Sequence, residues 1–109
     1  MAYDEELAGR VRRALAGETD VVEKKMFGGT GYLLRGNMAC GVNGSNLIVR
    51  VGPDEYEAAL REPGVRVFDM TGRPMNGWVQ VAPQGLPDQA ALQAWVERGL
   101  TYASSLPPK

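Results

Sequence analysis

Gly28-Gly29-Thr30-Gly31 is a run whose residue types could hold an anion, because successive backbone N–H groups can converge on one charged ligand. Lys25 and Arg50 are the nearby cations that would complete such a site with Gly28, Gly29 and Gly31. Two sharper phosphate motifs are excluded. A dinucleotide fingerprint would need glycine where Leu34 stands, and no Gly-Lys-Ser or Gly-Lys-Thr follows as a P-loop requires. A tight or bulged hairpin turn uses the same glycines, since glycine reaches positive φ at little cost, and it is the preferred reading.

The second candidate is the stretch Asp69–Gly77, rich in turn formers, with Trp78 behind it. Arginine, methionine and tryptophan are enriched at the centres of protein interfaces, and binding residues concentrate on loops held by a rigid scaffold. Thr71, Gly72, Arg73, Pro74, Met75 and Trp78 are therefore the candidate partner-binding residues. The competing reading is a turn whose Met70, Met75 and Trp78 merely cap the core.

Catalysis has little to work with. The 109 residues include no histidine and one cysteine, Cys40, which sits in the apolar run Met38–Val42 and reads as a buried small hydrophobe. No imidazole exists to activate a nucleophile or to bind zinc. Asp4-Glu5-Glu6 reads as a solvated helix start, not a calcium site, which would need six or more converging oxygens. No catalytic residue, metal or cofactor is expected.

The elements that must position these residues follow from periodicity. Tyr3, Leu7, Val11, Ala14 and Leu15 form an apolar stripe and predict a helix over residues 3–16. Its acids lie early and Arg10, Arg12 and Arg13 late, which suits the helix dipole better than a nucleic-acid patch, and Glu6 and Arg10 are spaced for a pair. Short strand-like runs at Val22–Phe27, Tyr32–Leu34, Met38–Val42 and Leu47–Val51 are separated by glycine turns, among them Gly36-Asn37 and Asn43-Gly44. Such short connections predict a four-stranded antiparallel meander over residues 22–51. Alternation places Lys25 with Phe27 and Arg50 with Ile48 on shared faces. A short helix opens near Pro53, strands follow at Val65–Phe68 and Trp78–Val81, and a last helix follows Asp88. Its Leu92, Trp95, Val96, Gly99, Tyr102 and Ala103 share one face. The expected fold is one α+β domain over residues 1–109, a two-layer sandwich with helices packed on a mostly antiparallel sheet.

Twelve basic and thirteen acidic residues nearly cancel, which argues against a broad nucleic-acid surface. No apolar run approaches the ~20 residues of a membrane helix, and no secretory signal pattern opens the chain. With a lone cysteine, a reducing cytoplasm is the expected location.

Several segments together resemble the N-terminal domain of the TfoX/Sxy family. They are Lys24-Lys25-Met26-Phe27-Gly28-Gly29 with Gly31-Tyr32-Leu33, then Gly36-Asn37-Met38-Ala39 leading to Leu47–Gly52. Tyr56, Ala59-Leu60, Pro63-Gly64, Thr71-Gly72-Arg73-Pro74-Met75 and Gly77-Trp78-Val79 continue the likeness, which spans residues 5–106. The resemblance implies an α+β domain with an antiparallel sheet. It implies a role near the regulation of natural competence, where full-length relatives look like co-activators beside the cyclic-AMP receptor protein. Those relatives carry a second, C-terminal domain that the likeness does not include, and the family supplies no catalytic residues to carry over. The expected function is thus a non-enzymatic regulatory or adaptor domain with a protein partner, drawn from the transcription machinery on the resemblance. A homodimer through a sheet edge is a further expectation. The alternative is a small-ligand or nucleotide-binding domain using the Gly28–Gly31 loop.

Overall fold

The computed structural model describes residues 4–26, 29–69 and 74–108. Among these, the chain runs α1 (Glu5–Ala14), β1 (Val21–Met26), β2 (Gly29–Leu34), β3 (Asn37–Asn43), β4 (Asn46–Arg50), α2 (Tyr56–Leu60), β5 (Val65–Asp69), β6 (Pro74–Val81) and α3 (Gln89–Ser104). The six strands make one antiparallel sheet in the order β1-β2-β3-β4-β6-β5. The meander expected over residues 22–51 is present, each of its strands pairing with the next. The chain then crosses by α2 to the far edge, and β6 returns between β5 and β4.

The turns follow from local chemistry. Arg35 (φ 50°) and Gly36 (φ 87°) are both left-handed, as a two-residue I′ hairpin requires. In the next hairpin Asn43 pairs with Asn46, so the loop is Gly44-Ser45. Gly44 has φ 58° at the first central position, which marks a II′ turn in place of an Asn-Gly one.

α1 is shorter than the expected 3–16 because Asp4 caps it, accepting from the backbone N–H of Glu6 (2.9 Å) and Leu7 (3.1 Å). Leu7, Ala8, Val11 and Leu15 bury its apolar stripe in a core shared with Tyr32, Cys40, Val42, Leu47, Val49, Val79, Val81, Leu92 and Trp95. α3 lies against β3 and β4, with α1 beside it and α2 over β5 and β6. This is the two-layer α+β arrangement that the periodicity predicts.

Two arginines of α1 do structural work. Arg10 does not pair with Glu6. Its Nη2 donates to the carbonyls of Leu86 (3.0 Å) and Asp88 (2.8 Å), and Gln89 Nε2 donates back to the Arg10 carbonyl (2.9 Å). These bonds tie α1 to the start of α3. Arg12 grips the Glu23 carboxylate with two 2.8 Å bonds, and that bonding holds the carboxyl below its ordinary range. Hydrogen bonds from a charged donor contribute roughly 1.5–3 kcal/mol when shielded from water. Arg10→Ala is therefore expected to cost about 1–2 kcal/mol in urea unfolding, allowing for the partial exposure of this pair. Arg13→Ala, an exposed neighbour, is expected to stay within about 0.5 kcal/mol of the parent.

Candidate functional site

Trp78 and Arg50, assigned by sequence to two different sites, are direct cross-strand partners in the β4–β6 ladder. The Arg50 guanidinium carbon lies 5.2 Å from the centre of the Trp78 ring and 5.4 Å from that of Tyr102, near the end of α3. Both are cation–π distances. Phe68 packs on the other partner, its ring centre 6.3 Å from that of Trp78. The cluster thus joins β4, β5, β6 and α3.

Two glycines let it close. Gly52, at φ 90°, has no side chain where Tyr102 passes; a Cβ there would stand 2.5 Å from the ring. Gly77, also at φ 90°, turns its carbonyl to accept from the backbone N–H of Val51 (2.9 Å) and Gly52 (3.0 Å). Both conformations favour glycine. The backbones on either side of Arg50 and Trp78 are therefore fixed to each other.

The stretch expected to be an irregular loop through Gly77 is in part a strand. Pro74 pairs with Asp69 and opens β6. Proline is tolerated at a strand's first residue, where its missing N–H costs least. Met75 is half-buried, Asn76 exposed and Trp78 half-buried. Thr71, Gly72 and Arg73 lie outside the described residues, as does Gly28.

The anion site is not brought together. Gly29 and Gly31 are extended strand residues paired with Met26 and Lys24, not left-handed turn residues. Their N–H groups belong to a ladder and cannot converge as a nest does. Gly29 is required for another reason: β3 runs so close that a Cβ would strike the Val42 carbonyl. Lys25 sits on β1, with β2 and β3 between it and Arg50, so the two cations are separated by roughly 14 Å of sheet.

Beside the cluster, Val51–Glu55 and α3 enclose a cleft of about 680 Å³ that sequence reasoning missed. Tyr102 lines it together with Pro53, Asp54, Glu97, Arg98 and Thr101. Arg98 stacks on Trp95 (4.1 Å) and pairs with Glu62 (2.7 Å), so its charge is already matched. Among the described residues no group of three or more Cys, Asp or Glu converges to hold a metal ion.

Cys40 is fully buried, and desolvation pushes its thiol up to about 12. With the thiolate suppressed, a thiol reagent at pH 8 is expected to modify the folded protein negligibly. In denaturant the same reagent should react within minutes; rapid native labelling would contradict the packing.

The site is an aromatic–cationic cluster carried on an antiparallel α+β scaffold. The chain belongs to the TfoX N-terminal domain family, whose model matches residues 13–103. No curated protein and no solved structure matches it. The family suggests a regulatory or competence-related role. No helix among the described residues is long and apolar enough to cross a membrane.

Proposed function

We propose that this chain is a non-enzymatic, cytoplasmic adaptor domain that acts in transcriptional or competence regulation by binding another protein. The observation that carries the reading is Trp78: a half-buried tryptophan on β6, braced by Phe68 and by Arg50, the last residue of β4. Such residues, fixed in place and desolvated on docking, dominate the energetics of protein interfaces. The neighbouring edge strand β5 exposes Val67 by 37%, so a partner could extend from Trp78 onto unpaired backbone. The candidate partner-binding set is Thr71, Gly72, Arg73, Pro74, Met75 and Trp78.

Quantitative affinity capture from native lysate tests this. The wild type should retain a defined protein, and Arg73→Ala and Trp78→Ala should each reduce its yield while remaining folded. Full retention by both folded variants removes the assignment.

A further inference from the structure

We propose that Arg50 is the point at which the partner's carboxylate is read: an acidic side chain, Asp or Glu, docks on its guanidinium fork. This rests on the adaptor reading and names the chemistry of the partner.

Most of the described arginines satisfy their donors in one of two ways. Arg10 bonds two carbonyls, Arg12 pairs with Glu23, Arg35 with Asp20 and Arg98 with Glu62. Arg13, Arg61 and Arg66 are exposed, where water satisfies them. Arg50 differs from both groups. It is half-buried, and among the described residues it has no hydrogen bond or ion pair. None of its guanidinium nitrogens is among the buried atoms without a partner, so the in-plane donors face water and can exchange it for a ligand's oxygens.

Two aromatic faces hold the group without using those donors. Trp78 and Tyr102 attract the cation and restrict its plane, but a π face does not occupy the in-plane N–H donors. Arg98 shows the completed form of the same arrangement, with one ring, Trp95, beneath it and one carboxylate, Glu62, on its edge. Arg50 has the rings and lacks the carboxylate. The strand register and the Gly77 carbonyl fix the backbones that carry Arg50 and Trp78, and the Gly52 close approach seats Tyr102 beside them, which lowers the ordering cost of binding. An extended nucleic-acid backbone is the poorer fit, because Lys24, Lys25 and Arg66 are spread along the two edges of the sheet, not gathered beside Arg50.

The test is a titration of the isotopically labelled full chain with hexaglutamate, followed by NMR at low ionic strength. Hexaglutamine and the oligonucleotide dT8 are the parallel probes. Hexaglutamate should shift the Arg50 Nε–Hε and Trp78 indole N–H signals of the wild type, and hexaglutamine should not. Arg50→Lys keeps the charge and loses the fork, so affinity should fall roughly tenfold. Arg66→Gln should change it less than about twofold. Wild-type shifts that bypass Arg50 and Trp78 overturn the inference. So does Arg50→Lys binding like wild type, or dT8 binding as well as hexaglutamate. If Arg50→Lys fails to fold, the wild-type shift map decides alone. Should hexaglutamate fail while lysate capture still depends on Trp78, the adaptor reading stands and the carboxylate assignment falls. Loss of capture with hexaglutamate binding intact gives the reverse.

Discussion

Gly29→Ala should destabilise the protein by at least about 3 kcal/mol, the upper end of overpacking effects, lowering Tm by more than ~10 °C. The added methyl would strike the Val42 carbonyl, with the Val42 carbonyl carbon at 3.1 Å and Asn43 Cα at 3.3 Å. These are backbone atoms of β3, held between β2 and β4, so the clash cannot be relieved by turning a side chain. Gly9→Ala is the control. Gly9 lies within α1 with nothing within 4 Å of an added Cβ, so the change should raise stability by up to about 1 kcal/mol through helix propensity. Thermal melts of the two variants separate a close approach of strands from an anion-holding loop. A loop glycine would tolerate alanine far better than this position is expected to.

Trp78→Ala should have the largest effect on partner binding. Interface tryptophans that act as hot spots contribute about 2 kcal/mol or more, which corresponds to roughly a 30-fold loss of affinity. The same change removes the ring that packs on Phe68 and carries Arg50, so some stability goes with it. Trp78 is only half-buried, so the stability cost should fall below the ~3–5 kcal/mol of a fully buried aromatic, at about 1–3 kcal/mol. A matched control separates the two effects. Leu15→Ala, at the end of α1, opens a cavity of comparable cost without touching the cluster's residues. It should unfold at a similar denaturant concentration and keep the partner. If Leu15→Ala loses the partner equally, Trp78 acts through stability and not through contact.

The legible parts of the fold are those whose determinants are local. The α1 stripe of Leu7, Val11 and Leu15, the positive φ at Gly36 and Gly44, and the α3 face from Leu92 to Ala103 each follow from spacing within one element. What escaped was set by contacts distant in sequence. Pro74 becomes a strand residue only because Asp69 lies opposite it. Arg10 leaves Glu6 for carbonyls at the far end of the chain. Trp78 and Arg50 could each be singled out by type, but their pairing depends on β6 inserting between β4 and β5, which no local pattern encodes. Tyr102 has helical spacing with Val96 and Gly99 and so reads as core; its ring instead reaches Gly52 and Arg50. The glycines at 29 and 31 misled in the opposite direction. Their composition suggests a ligand loop, but both are paired strand residues, and Gly29 is where β3 runs too close for a side chain.

Native mass spectrometry of the tagged chain, isolated gently from lysate, addresses the central claim most directly. An intact complex with one protein subunit at fixed stoichiometry, absent for folded Trp78→Ala, is the expected spectrum. A bare chain, or a chain carrying only a small molecule it chemically converts, would contradict it.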